Sequence, residues 1–153
     1  VMASSLMLGL VMWCWQPMVG QAWQMESPAL RGVTWFLFMA GLALVLYSAS
    51  LTDGADLLGW RQAHGFAAGV SYRAPPFTQR SLYRVMRHPM MLGVLLALWA
   101  TPEMTTTHLM FSVGMSVYIL LGIHFEEASM LKTLGDPYQA YRQNTWRLIP
   151  WVY

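Results

Sequence analysis

Arg84-Val85-Met86-Arg87-His88-Pro89-Met90-Met91-Leu92-Gly93 runs two arginines and a histidine without a linker into an apolar helix. The chemistry of these side chains therefore falls at a membrane surface. The next apolar run closes in Glu126-Glu127. If the two runs fold as a hairpin, the acidic pair returns to the level of His88, and one site is built from both ends of that hairpin.

Composition places this hairpin in a membrane. Of the 153 residues, 56% are hydrophobic and 10% charged, with mean hydropathy +0.40; an ordinary soluble domain carries about 25% charged residues. The expected fold is all-α: a polytopic transmembrane helical bundle, residues 1–153 forming a single membrane domain. The lone Cys14 excludes an internal disulfide and any cysteine-cluster metal site. The 13 methionines and 8 tryptophans suit apolar gap-filling and interfacial anchoring. A net charge of +2 is too small to indicate a nucleic-acid partner; the expected partner is the bilayer.

Four apolar segments follow from hydropathy, at residues 1–15, 33–51, 90–101 and 105–125. The first is shorter than the ~20 residues that cross a hydrocarbon core and lacks the charged flank and cleavage site of a signal peptide, so it is expected to be a helix whose start lies upstream. It closes in Trp13, Trp15, Pro17 and Trp23, an interfacial signature. The second is uncharged throughout and ends at Thr52-Asp53-Gly54. For the third, Pro89 favours a fresh helix start, preceded by a short interfacial helix over 81–87.

The basic residues test this topology independently. Arg61, Arg73, Arg80, Arg84 and Arg87 lie between the second and third segments, and Lys132, Arg142 and Arg147 follow the fourth. Eight of the nine basic residues then share one face and Arg31 is opposite, which assigns the shared face to the cytoplasm. The glycine-broken loop 52–80 includes an amphipathic patch, Asp56-Leu57-Leu58-Gly59-Trp60. In the tail, 126–134 continues the fourth helix to a stop at Gly135. Asp136-Pro137 supplies an N-cap and first-turn proline for a second short helix over 138–144, with Tyr138, Tyr141 and Arg142 on one face. Leu148-Ile149-Pro150-Trp151 returns the chain to the membrane.

Two features carry chemistry. Arg87-His88-Pro89 reads most simply as a basic anchor before a helix start; its functional reading is that His88 and the free backbone donors of that start face an anionic or polar cofactor group. Glu126 and Glu127 oppose the helix dipole unless the helix continues or cations lie close. Either they are a solvated continuation, or one turns inward and holds a ligand. His108 and His124 are isolated, and no metal-ligand spacing supports a site from His64, His88 and His124; no metal is expected.

The ordered set Arg87-His88-Pro89, Gly93, a hairpin, Glu126-Glu127, Gly135, Tyr138, Tyr141 and Pro150 resembles the isoprenylcysteine carboxyl methyltransferase-like and NnrU-like superfamily of integral membrane methyltransferases, which use S-adenosylmethionine. That resemblance covers about residues 81–151. Trp15-Gln16-Pro17, 56–62, 98–105 and Gly122-Ile123-His124-Phe125-Glu126-Glu127 are similar to the bacterial methanethiol S-methyltransferase family, whose members have further N-terminal membrane helices. The resemblance implies a cofactor-binding hairpin and tail at 81–151, with His88, Pro89, Gly93, Glu126, Tyr138 and Tyr141 bordering S-adenosylmethionine and Arg87, Glu127 and Arg142 serving catalysis. It implies methylation of a small volatile thiol, methanethiol, to dimethyl sulfide at the bacterial inner membrane. The carboxyl methyltransferases carry an aromatic two residues after the proline, where Met91 stands here, so the resemblance implies the cofactor and not a prenylcysteine acceptor. Carboxyl or lipid methylation, and a non-catalytic membrane protein linked to nitrogen-oxide metabolism, are the alternatives.

Overall fold

A computed structural model describes residues 6, 9–10, 13–14, 16–52, 59–70 and 80–150. Strand β1 (Gln21–Gln24) leads into helix α1 (Pro28–Leu51), then α2 (Trp60–Ala67), a 3-10 turn (Ser81–Arg84), α3 (Pro89–Trp99), β2 (Glu103–Thr105), α4 (Thr106–Leu134) and α5 (Asp136–Gln143). Prolines at 28, 89 and 137 stand in the first turns of α1, α3 and α5, where a missing N–H costs nothing. Gly135 closes α4 at φ 61°, in the left-handed region that favours glycine. The expected cap at Asp136 moves by one residue: Gly135 is the cap and Asp136 lies in the first turn.

Among the described residues two helices are long and apolar enough to cross a membrane, α1 with 24 residues and α4 with 29. Of the four expected membrane helices, these two are the ones with spanning length. α3 has 11 residues, about 16 Å of helix against the ~30 Å of a hydrocarbon core. The first expected segment and the patch at 56–60 lie largely outside the described residues. The described chain is mostly helical, as expected, with one small addition. β1 and β2 form a two-stranded antiparallel ribbon pairing Gln21 with Thr105, Trp23 with Met104 and Gln24 with Glu103. β2 takes up the short connection that hydropathy left between the third and fourth segments, and its Met104 is fully buried. Strands of four and three residues are too short to show a period-2 pattern.

α3 packs chiefly on α1 through small residues. A Cβ on Gly93 would stand 2.7 Å from the Gly41 carbonyl oxygen, and one on Gly41 would stand 2.8 Å from that of Gly93. Backbones approach this closely where side chains are absent, the usual device for joining helices in lipid. On its other side α3 meets a core of Ile119, Ile123 and Leu148. Leu148, expected to return the chain to the membrane, packs inside instead. The outer faces of α1 and α4 remain apolar and exposed, with Phe36, Leu46, Tyr118 and Phe125 all about 70% accessible. At the ribbon end Arg31 pairs with Glu103 at 3.1 Å. Three further arginines gather at the other end of the bundle, around Glu127.

Candidate active site

α3 starts from His88, and a backbone strap fixes that start. The Arg87 N–H donates to the Trp146 carbonyl at 2.8 Å, the His88 N–H to the Arg147 carbonyl at 3.2 Å, and the Trp146 N–H to the Val85 carbonyl at 2.9 Å. The chain after α5 thus runs parallel to the segment before α3. Tyr141 ties the same two pieces together, its hydroxyl donating to the Tyr83 carbonyl at 2.6 Å.

This strap closes over one carboxylate. Arg87 Nε donates to Glu127 Oε1 at 2.7 Å, and the two side chains are only 7% and 5% exposed. His88 Nε2 stands 3.3 Å from the same oxygen. Arg147 Nε and Arg142 Nε stand 3.4 and 3.9 Å from Oε2. A carboxylate alone at this depth would be strongly destabilising; ringed by guanidinium groups it is held as the anion. Arg87 is itself anchored on its other side, where Nη1 donates to the carbonyls of Arg142, at 2.9 Å, and of Thr145. Glu126 turns outward, its side chain about half exposed, with Oε2 3.8 Å from His88 Nδ1.

Burial pushes the His88 imidazole below its usual 6.5, outweighing the opposite pull of Glu126 and Glu127. The ring is therefore neutral at physiological pH, and with Nε2–H directed at Glu127 the Nδ1 lone pair is left on the Glu126 side. The Tyr138 and Tyr141 rings meet in a tilted arrangement, 5.9 Å between centroids and 51° between planes. Burial raises both phenols, Tyr141 to about 12, so they stay protonated. Beside them lies a cavity of about 340 Å³ lined by Arg84, Pro137, Ala140, Tyr141, Asn144 and Thr145.

Arg87, His88, Glu127 and Arg142 are thus brought together, with Glu126 at the edge. Tyr138 and Tyr141 are buried in the tail beside them. Pro89 is fully buried at the helix start. Gly93 is seated against Gly41 of α1. His64 rests on the Trp60 ring, His124 lies beside Phe125, and no cluster of three metal-ligating side chains forms among the described residues.

The family model described as NnrU protein matches residues 1–151. The chain belongs to the NnrU protein family. This NnrU-family chain is 41% identical to a methanethiol S-methyltransferase of Mycobacterium tuberculosis over 99% of its own length and 62% of the relative's. It is 37% identical to that of Pseudomonas deceptionensis over 98% of its length and 57% of the relative's. Nurim of Xenopus laevis is 27% identical over 79% of the chain and 45% of the relative. The chain therefore spans about three fifths of the length of the methanethiol S-methyltransferases it matches. No solved structure matches.

Arg147 and Thr145 join this cluster in the NnrU-family chain although sequence reasoning does not single them out. In the sequence Arg147 is one more charge on the basic face, and nothing local marks Thr145. The strap that places both is made of backbone bonds, which leave no side-chain pattern in the sequence.

Proposed function

We propose that this NnrU-family chain carries the site of a membrane methyltransferase that converts methanethiol to dimethyl sulfide with S-adenosylmethionine, placed on the cytoplasmic side of a bacterial inner membrane. One observation carries the reading beyond the names of the relatives: a buried carboxylate, Glu127, ringed by Arg87, His88, Arg147 and Arg142 where two helix ends meet. Three guanidinium groups against two carboxylates, Glu126 and Glu127, leave the cluster cationic, which favours an anionic nucleophile.

The donor set fits the cofactor. S-adenosylmethionine has a zwitterionic amino-acid end, and the rim offers one partly exposed group of each sign, Arg142 for a carboxylate and Glu126 for an ammonium. Tyr138 and Tyr141 supply an aromatic wall beside it. Bound there, the cofactor would supply an electrophilic methyl group. The chain's own residues do the rest. Arg87, spent on Glu127 and the tail carbonyls, positions the carboxylate and holds the strap closed.

A thiol with pKa near 8.5 or above is mostly protonated at neutral pH, while the thiolate is the reactive form. His88 Nδ1 accepts the thiol proton, and the guanidinium groups stabilise the thiolate. The buried cluster aligns the acceptor and limits access of water.

The test is headspace dimethyl sulfide from membranes containing the full open reading frame, supplied with methanethiol and S-adenosylmethionine. Product above that of empty membranes is expected. Its absence with saturable cofactor binding would reject methanethiol and point to a carboxylate or lipid acceptor. Absence of saturable cofactor binding would reject the enzyme and leave the basic end as a docking face.

A further inference from the structure

An apolar groove of about 370 Å³ runs along α3 away from the polar cluster. Its floor is Leu92, Leu96 and Trp99, one face of α3 at i, i+4 and i+7, and α1 gives one wall through Thr34 and Leu37. Leu148 and Ile149 of the tail give the other. From Trp99 to Leu92 the floor is about 10 Å long.

Its polar lining groups are already engaged. The Thr34 hydroxyl donates back to the carbonyls of Leu30 and Arg31 at 3.0 and 2.9 Å, and Trp99 Nε1 donates to Ser116 Oγ at 3.0 Å. The groove therefore favours a guest that needs no hydrogen bond, because burying an unmatched polar group is costly. A thiol or thioether meets that condition, since sulfur is a weak donor and acceptor.

Its floor and its tail wall both lead toward the cluster. Leu92 is one turn from His88, whose carbonyl accepts its N–H at 3.1 Å. Leu148 follows Arg147, whose guanidinium stands on Glu127. We infer that this groove is the route by which the acceptor, a small apolar thiol dissolved in the bilayer, reaches the polar end, and that its width selects among alkyl thiols. The inference rests on the methyltransferase reading above.

The test compares wild type, Leu37→Trp and Ile149→Ala in membranes containing the full open reading frame, with KM for methanethiol and for butanethiol measured beside the Kd for S-adenosylmethionine. Leu37 and Ile149 are each about 40% exposed along the groove, so both substitutions change its width at accessible positions. Leu37→Trp should raise the methanethiol KM roughly tenfold, and Ile149→Ala should improve the butanethiol to methanethiol ratio of kcat/KM by a similar factor. Cofactor Kd should stay within about twofold, because neither Arg142 nor Glu126 lines the groove.

Unchanged KM values and ratio, the result expected if an acyl chain of a lipid fills the groove, would overturn the route. A parallel change in cofactor Kd would overturn it too, by giving the groove to the cofactor. Should Leu37→Trp fail to accumulate, the ratio in Ile149→Ala decides alone. Failure of the wild type to form dimethyl sulfide would instead remove the function on which the route depends.

Discussion

Arg87 and Glu127, forty residues apart in sequence, meet at 2.7 Å with both side chains almost wholly buried. The pair joins the start of α3 to the far end of α4, and through the other edge of the same guanidinium it also holds the tail.

Removing the charge of Glu127 should therefore weaken more than ligand binding. Glu127→Gln leaves Arg87 buried without its anion, and breaking a buried pair from one side costs about 3–5 kcal/mol. A clear fall in the thermal midpoint is expected, with loss of saturable S-adenosylmethionine binding. Wild-type melting and wild-type Kd in this variant would show that the pair holds neither the fold nor the site.

Arg87→Lys should not rescue Arg87→Ala. An ammonium is a single point charge and cannot reach Glu127 and the Arg142 carbonyl at once, as the planar guanidinium does. Both variants should lose protection of the 145–148 backbone amides in hydrogen exchange. Full protection with lysine would mean that charge alone suffices.

Gly93→Ala should destabilise the α1–α3 contact. The new methyl would meet the Gly41 carbonyl oxygen at 2.7 Å and Val45 Cγ2 at 2.8 Å. Overpacking of this kind costs about 1–3 kcal/mol. Gly114→Ala on α4, where nothing lies within 4 Å, is the control and should melt at or slightly above wild type, because alanine is the better helix former. Equal melting of the two variants would contradict the close approach.

Acidification should destabilise the protein through His88. Its folded-state pKa lies below the usual 6.5 because it is buried, with Glu126 and Glu127 pulling upward and Arg87 adding to the depression. Between that lowered value and 6.5 the unfolded chain binds the extra proton. The contribution of neutral His88 is thus complete above about pH 6.5 and is lost as pH falls through the folded pKa. Melting temperatures between pH 5 and 8 should fall on the acid side, and His88→Gln should flatten that slope. An unchanged slope would place the titration elsewhere.

Tyr141→Phe should loosen the tail while leaving the core intact. It deletes the 2.6 Å bond to the Tyr83 carbonyl, worth about 1 kcal/mol net and more if the carbonyl stays dry. Weaker cofactor binding with a small drop in melting temperature is expected. A cofactor Kd equal to wild type would separate the tail from the site.

Much of this architecture is local and so was legible. Prolines in first turns, Gly135 at a helix end and long uncharged runs act through neighbours a turn away. From these alone follow the fresh start at Pro89, the stop at Gly135, the end of α1 at Leu51 and the extent of α4, whereas α1 begins at Pro28, five residues before the uncharged run. The hairpin logic then brought His88 to the level of the glutamates.

Which glutamate turns inward was beyond the sequence. Ile119 and Ile123 sit seven and three residues before Glu126 and eight and four before Glu127, so both carboxylates continue the same buried stripe within the tolerance of a 3.6-residue period. Only the rotation of α4 against α3 and the tail, set by packing on Leu148 and by the arginines that converge there, buries Glu127 and exposes Glu126. The ribbon of β1 with β2, the strap of 145–148 on 85–88 and the seat of Gly93 on Gly41 are likewise decided at a distance. Each joins backbone groups far apart in the chain, and a backbone hydrogen bond or a missing Cβ leaves no mark in the sequence to say which partner it will meet.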